Sequence, residues 1–271
     1  MVTMLELGEV HLAYDVEGSG PPLLLLHGAE GSRRMFDALL PHLSAHFTTI
    51  TYDQRDCGET TNPPQASSLV DLADDAAAML RFLGHCRAHV YGTSFGGRVA
   101  QMLALRHPDH VDRLVLGSTW PLPTALTDLN GENVKHIFEL RAGLPETAEE
   151  LARYFLPDAF LAAHPALKAI FGNSPPRDER TRRRSSVTDE RPALPPSGLT
   201  MPTLLMAGDL DRVVPPSATL AMATSMPRAT TLRLAGLGHA GALQAPELVA
   251  RAIRSFCLAD VPPATMKEVS L

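Results

Sequence analysis

One serine lies in a segment that is rich in glycine, VYGTSFGGR at residues 90–98. Gly92, Ser94 and Gly96 form the pattern G-x-S-x-G between an apolar, β-branched run and a helix-like run. Glycine costs about 0.5–1 kcal/mol relative to alanine inside regular structure, so glycines clustered here predict a backbone path that side chains would block. The pattern predicts a sharp turn that presents the hydroxyl of Ser94 as a nucleophile.

A serine nucleophile needs a general base, and the base needs a carboxylate that orients it. His239 is the favoured base, because the segment AGLGHAG places it among glycines directly after the last strand-like run. The segment TLLMAGDLDRVVPP offers Asp209 and Asp211 after the preceding strand-like run, and Asp211 is favoured because it lies farther into the loop. The predicted catalytic residues are Ser94, Asp211 and His239, with Asp209 as the alternative acid.

Negative charge develops on the carbonyl oxygen of a substrate under attack, and preorganised donors must stabilise it. The backbone amide of Phe95, directly after the serine, is one candidate donor. The second is the amide of Ala29, in the loop that follows the apolar run LLLLHG. This chemistry requires no metal and no organic cofactor.

Short apolar runs without alternation predict strands that are buried on both faces. Such runs occupy residues 23–28, 48–53, 88–92, 112–118, 203–208 and 230–236, and helical patterns separate most of them. Two alternating segments within residues 2–16 predict a hairpin before them. The sequence therefore predicts an α/β fold, with a mostly parallel central sheet and helices on both faces.

The alternation of strands and helices stops between residues 121 and 198, where no strand-like run occurs. We expect this part to form a small helical cap insertion on a core made of residues 1–120 and 199–271. Trp120, Phe138 and Phe155 are candidate substrate-binding residues at the junction and in the cap, and packing of the cap on the core is the alternative role for such aromatic side chains.

An arginine run, RTRRR at residues 180–184, also lies in the predicted cap. It would attract an anionic substrate if it faced the pocket. The favoured interpretation is a solvated face that is neutralised by the acidic residues on either side of it.

The formal net charge of −6 and a pI near 6.0 provide no basic surface for nucleic acid or an anionic membrane. The longest apolar run near the start, residues 21–26, is far too short to span a bilayer, and the three cysteines lack the spacing of a metal or redox site. We therefore expect a cytoplasmic protein whose partner is a small-molecule substrate. The composition does not indicate an oligomeric state.

In five motifs the chain resembles the serine-nucleophile branch of the α/β-hydrolase superfamily, which includes esterases, lactonases and methyl-esterases. The motifs are similar to its oxyanion segment, D-x-R loop, nucleophile turn, acid loop and histidine loop, at LLLLHGAEGS, YDQRDCGET, YGTSFGGR, LLMAGDLDR and LAGLGHAG. The pair Arg55 and Asp56 is similar to the methyl-esterase and enol-lactonase branches. Glu30 departs from the small or apolar residue that is usual beside the oxyanion segment. If its carboxylate faced the pocket, it would favour a cationic substrate. If it pointed to solvent, which is the favoured interpretation, it would have no role in binding.

The resemblance implies hydrolysis of an ester, thioester or lactone, with a small apolar or a bulky organic group, through an acyl-enzyme. Serine at position 94 excludes the epoxide-opening and halide-displacing relatives, which use aspartate there. In one alternative function, the same fold and triad catalyse carbon–carbon bond hydrolysis, acyl transfer or a biosynthetic rearrangement. Another is a binder without catalysis, which an intact set of Ser94, Asp211 and His239 disfavours.

Overall fold

The central sheet positions the loops that carry the predicted site residues. The computed structural model describes residues 2–29, 31–172 and 178–260, and the backbone of 269–270. The strands of this part of the chain are β1 (Thr3–Leu7), β2 (Val10–Glu17), β3 (Pro22–Leu26), β4 (Thr48–Tyr52), β5 (Ala88–Thr93), β6 (Val111–Gly117), β7 (Thr203–Gly208), β8 (Ala229–Ala235) and β9 (Val269–Ser270).

These strands form one sheet in the order β1-β2-β4-β3-β5-β6-β7-β8-β9. β1 pairs antiparallel with β2, and β2 pairs antiparallel with β4. Every pair from β4–β3 to β8–β9 is parallel, so the carboxyl ends of β3 to β8 lie along one edge of the sheet. This topology confirms the predicted α/β fold.

Helices cover both faces of the sheet. They are α1 (Leu40–Leu43), α2 (Leu69–Phe82), α3 (Phe95–Arg106), α4 (Leu126–Ala142), α5 (Ala148–Phe155), α6 (Asp158–Ala163), α7 (Lys168–Gly172), α8 (Glu179–Thr188), α9 (Pro216–Leu220), α10 (Gly241–Gln244) and α11 (Pro246–Cys257). One apolar cluster joins α2 and α3 to the sheet, and a second joins α1 and α11 to its other face. The strands carry side chains from both clusters, which explains why their sequences are apolar without alternation.

The described residues between β6 and β7 contain five α-helices, α4 to α8, and no strand. Helix α8 forms within the charged segment, where the sequence analysis singled out no helix. Asp178 starts it, because its side chain accepts a hydrogen bond from the amide of Thr181 at 2.9 Å. That residues 121–198 act as a separate cap remains a prediction.

The loop after β4 is held by a buried ion-pair network. Asp53 is fully buried and accepts hydrogen bonds from the amides of Arg33 and Glu59, both at 2.7 Å, and from the guanidinium of Arg33. That guanidinium also pairs with Asp15 at 2.7 Å and with Glu59 at 2.5 Å. The network ties this loop to Asp15 of β2 and to Arg33 in the segment after β3.

Replacement of the acid at the centre of this network tests its contribution to stability. We expect Asp53→Asn to lower the free energy of unfolding by about 3–5 kcal/mol, because it leaves part of a buried guanidinium charge uncompensated. Asp37→Asn is the matched control, since the Asp37 side chain is 57% exposed, and it should change stability by less than about 0.5 kcal/mol. Urea unfolding of the three proteins measures the difference; similar values for both variants would contradict this role.

Candidate active site

Ser94 occupies the turn between β5 and α3, at the carboxyl edge of the sheet. Its backbone has φ 54° and ψ −128°, a conformation that L-residues rarely adopt. Three hydrogen bonds hold it there: the Ser94 amide donates to Gly117 at 2.9 Å, and the Ser94 carbonyl accepts from the Thr119 hydroxyl at 2.7 Å and the Gly97 amide at 2.9 Å. The strained serine is therefore fixed by the next strand and by its own helix.

The glycines around Ser94 are required by close approach of the backbone. A Cβ at Gly92 would overlap the carbonyl of Gly96, and a Cβ at Gly96 would overlap the carbonyl of Leu26 at the end of β3. Both obstacles are backbone atoms, which cannot move aside without moving the sheet. This confirms the prediction that side chains would block the backbone path at this turn.

His239 lies beside Ser94 and Asp211, although the three residues come from distant parts of the chain. Its Nε2 is 3.0 Å from the Ser94 Oγ, and its Nδ1 is 2.9 Å from the Asp211 Oδ2. The ionised carboxylate can only accept, which places the ring proton on Nδ1 and leaves Nε2 to accept from the serine hydroxyl. The structure thus brings the three predicted residues together in one hydrogen-bonded chain.

The loop that carries Asp211 is closely braced. The Oδ1 atom of Asp211 accepts from the amides of Val213 and Val214, both at 2.9 Å, which leaves Oδ2 for the histidine. The side chain of Asn130, at a kink in α4, donates to the carbonyls of Arg212 and Val213 at 2.8 and 3.0 Å. The insertion therefore helps to hold the acid loop.

Asp209, the alternative acid, has a different position. Its Oδ1 accepts from the amide of Gly236 at 2.7 Å, so it braces the loop that leads to His239. Gln244 supports the same loop, because its side chain accepts from the Gly238 amide at 2.9 Å and donates to the Gly236 carbonyl at 2.8 Å. The geometry pairs the histidine with Asp211 and gives Asp209 a structural contact.

The predicted amide donors belong to two segments beside the serine. Phe95 is the first residue of α3, and the first amides of a helix have no partner inside the helix. Ala29 lies in the loop after β3, next to Gly28, where a Cβ would sit 3.8 Å from the Ser94 Oγ. The Phe95 amide is thus close to Ser94 along the chain, and Ala29 adjoins a glycine that lies beside the Ser94 side chain.

Hydrogen bonds from His27 and Gln54 support the loop that contains Ala29. His27 donates from Nδ1 to the Gly28 carbonyl at 2.8 Å and accepts on Nε2 from the Gln54 amide at 3.1 Å. The Gln54 side chain donates to the His27 carbonyl at 2.8 Å. Complete burial, and then the charge of Arg184, lower the pKa of His27 to about 3, so the imidazole stays neutral while it makes these bonds.

Arg184 reaches this loop from α8. It is 3% exposed, and it donates from Nε to the Ala29 carbonyl at 2.9 Å and from Nη2 to the Gln54 Oε1 at 2.7 Å. Its guanidinium carbon also lies 4.4 Å from the centre of the Phe95 ring. The favoured interpretation of the arginine run as a solvated face is therefore wrong for this residue, since a helix of the insertion turns it inward.

The predicted aromatic site residues have different surroundings. The Phe155 ring lies 5.6 Å from the His239 ring in an edge-on contact. Trp120 is 1% exposed, and its buried Nε1 has no hydrogen-bond partner among the residues that the structure describes, whereas Phe138 is 41% exposed. Glu30 lies outside the described residues. The substrate-binding roles of these four residues remain predictions.

A cavity of about 530 Å³ lies between the start of the insertion and α9, and its lining includes Pro121, Leu129 and Met222 but not Ser94. A much smaller cavity of about 20 Å³ borders His239 and has room for a single water molecule.

Within residues 2–29, 31–172 and 178–260, no group of three or more histidine, cysteine, aspartate or glutamate side chains is placed to hold a metal ion. None of the helices in the same part of the chain has the length and apolar character needed to cross a membrane.

The model of the α/β-hydrolase fold family matches residues 21–246, and the chain belongs to this family. The fold and the named relatives define an enzyme of the α/β-hydrolase type. One relative is the 2-(acetamidomethylene)succinate hydrolase of Mesorhizobium japonicum, with 27% identity over 93% of each chain.

Solved structures of hydrolases are also similar to the chain over most of its length. A hydrolase of Pseudomonas aeruginosa is 28% identical, with a TM-score of 0.79, and the match covers 95% of this chain and 98% of that one. A thermophilic esterase of Thermogutta terrifontis, solved with malate bound, is 27% identical, with a TM-score of 0.77 and coverage of 94% and 96%.

Sequence reasoning missed three residues that shape this site: Gln54, Asn130 and Arg184. Gln54 is part of the D-x-R loop motif, but its type alone does not indicate the histidine that it supports. Arg184 was visible only as one of several arginines in a charged run. The missing signal is the helical phase of α8, which decides which arginine faces inward.

The positive φ of Ser94 predicts the order of stability of two variants at this position. Ser94→Gly should be more stable than Ser94→Ala by about 1 kcal/mol, because glycine adopts a positive φ without the steric cost that alanine retains. Thermal or urea unfolding of both proteins measures the ranking. If Ser94→Ala were equally stable or more stable, the turn would not be strained.

The buried His27 predicts a pH effect on stability. Its pKa is lowered in the folded protein, so stability is complete above the unfolded value near 6.5 and falls as the pH drops toward 3. Between pH 7.5 and pH 5 the wild type should lose about 2 kcal/mol more than His27→Gln, since the other groups titrate in both proteins. Urea unfolding at both pH values tests this, and equal losses would show that His27 is not held neutral.

Proposed function

We propose that this chain is a serine hydrolase that cleaves a carboxylic ester, thioester or lactone through an acyl-enzyme on Ser94. The observation that carries the proposal is the continuous hydrogen-bonded chain from the Ser94 hydroxyl through His239 to Asp211. A serine, a base and an orienting acid at these distances are the arrangement that acyl transfer requires.

In the first half of the proposed reaction, the Ser94 Oγ attacks the carbonyl carbon while His239 Nε2 takes its proton. The carbonyl oxygen becomes an oxyanion, for which the amides of Ala29 and Phe95 are the proposed donors. Collapse of the tetrahedral intermediate breaks the bond to the leaving alcohol, thiol or ring oxygen, which receives the proton from His239. Asp211 stabilises the imidazolium that exists between these two proton transfers.

In the second half, water attacks the acyl-enzyme and gives its proton to the same His239 nitrogen. The new tetrahedral intermediate expels Ser94 Oγ, which takes that proton back, and the carboxylic acid is released. The edge-on contact of Phe155 with His239 supports a role for the insertion as a cap that orients the imidazole and limits access of solvent on that side. In this proposal the cap also selects substrates by their shape.

The proposal predicts the effects of variants on the turnover of a panel of ethyl esters and lactones. Ser94→Ala and His239→Ala should each lower kcat by about 10⁴-fold or more, and Asp211→Asn by about 10²- to 10⁴-fold, because the three groups act as a unit. Asp209→Asn is the control: its contact lies outside the hydrogen-bonded chain, and it should cost less than about 10-fold.

Two results would contradict this mechanism. If Ser94→Ala kept most of the activity while His239→Ala did not, the histidine would act alone as a base and no acyl-enzyme would form. If Asp209→Asn were as damaging as Asp211→Asn, the assignment of the acid would be wrong.

A further inference from the structure

The guanidinium of Arg184 is a buried positive charge that forms no ion pair with any carboxylate of the described residues. Its two hydrogen bonds go to the neutral oxygens of Ala29 and Gln54. Its Nη1 atom is buried and has no hydrogen-bond partner in the described part of the chain. Burial of a charge without compensation is costly, so a side chain kept in this state calls for an explanation.

The neighbouring arginines do not share this property. Arg183 pairs with Asp56 at 2.6 Å, and the exposed Arg182 pairs with Glu179 at 3.0 Å. Arg98 is also buried and its Nε has no hydrogen-bond partner among the described residues, but both of its terminal nitrogens donate to carbonyls, those of Leu122, Thr188 and Glu190. Arg98 thereby ties α3 to both ends of the insertion, whereas a terminal nitrogen of Arg184, Nη1, makes no hydrogen bond within the described part of the chain.

The position of Arg184 connects this free donor to the reaction. The fork made by Nε and Nη2 faces the oxyanion loop, and the guanidinium stacks on Phe95, the residue after the nucleophile. A guanidinium has five N–H donors, and two are used here. Both N–H groups of the buried Nη1 are among the donors that remain.

A second unpartnered polar group lies in the same region. The hydroxyl of Tyr52, at the end of β4, is buried, and none of the described residues forms a hydrogen bond with it. Burial raises the pKa of Tyr52, and the charge of Arg184 acts on it in the opposite direction, which places the two groups within electrostatic range. Tyr52 therefore adds a neutral donor near a fixed positive charge.

We propose that Arg184 binds a carboxylate of the substrate, so that the enzyme acts on an acid-bearing ester, thioester or lactone rather than on a neutral one. This inference rests on the proposed function, because it names the substrate class of the same site. A carboxylate would take a charge-assisted hydrogen bond from Nη1 and would neutralise the buried guanidinium. The Ala29 and Gln54 contacts hold the fork in place before the substrate arrives.

The first test compares matched substrates. The probes are monoethyl succinate, glutarate and adipate, and the ethyl esters of the same chains with a carboxamide in place of the free acid. The wild type should prefer at least one of the acids over its amide by 10-fold or more in kcat/KM. Arg184→Gln should reduce that preference by about 10- to 100-fold, mainly through KM, as expected for loss of a hydrogen bond to a charged group.

Two further variants separate binding from structure. Arg182→Gln removes the same charge from an exposed position of the same helix and should leave the preference unchanged. Arg184→Lys keeps a charge but not the fork, and it should retain part of the preference. If Arg184→Gln lowered kcat for acids and amides equally, the residue would serve only to position the oxyanion loop, and the inference would be overturned.

The second test does not need turnover. Ser94→Ala should gain thermal stability from at least one of succinate, glutarate and adipate, but not from the corresponding diamides, and the added change Arg184→Gln should abolish the gain. If esters are hydrolysed without acid preference and no dicarboxylate stabilises the protein, this inference fails while the proposed function stands. If dicarboxylates bind through Arg184 but no ester is cleaved, the proposed chemistry fails and the anion site stands.

Discussion

The whole site depends on the close packing of three backbone segments at the carboxyl edge of the sheet. The turn after β5, the start of α3 and the end of β3 approach so closely that a Cβ at Gly92 or Gly96 would overlap a carbonyl. At this packed turn Ser94 has a positive φ, and its hydroxyl lies within hydrogen-bond distance of His239. Local strain of this kind persists only when the surrounding structure over-determines it, and here the partners are a buried parallel sheet and its helix.

The other parts of the site meet at the same edge because parallel strands end there. β7 leads to the loop that contains Asp211, and β8 leads to the loop that contains His239. Each loop is braced by side chains that do no chemistry, since Asp209 and Gln244 hold the histidine loop and Asn130 holds the acid loop. The insertion between β6 and β7 thus takes part in the geometry of the core, and Arg184 extends that connection to the loop that contains Ala29.

Much of this architecture could be predicted from the sequence because its causes are local. Apolar runs without alternation identified the buried strands, and the glycines around Ser94 identified a turn that must be tight. Arg184 and Asn130 could not be predicted, because their roles depend on the rotation of α8 and on a kink in α4, and both follow from packing between segments far apart in the chain. The side chain of Phe155 illustrates the same limit, since its contact with His239 joins residues that only the folded insertion brings together.

The central claim is that the hydroxyl of Ser94 is activated by His239 and reacts covalently. The most direct test is treatment of the folded enzyme with a fluorophosphonate probe, followed by mass spectrometry of the digested protein. The account predicts one adduct per chain, on Ser94, which His239→Ala strongly slows. A folded protein that forms no adduct at Ser94, or one that is labelled equally fast without the histidine, would contradict it.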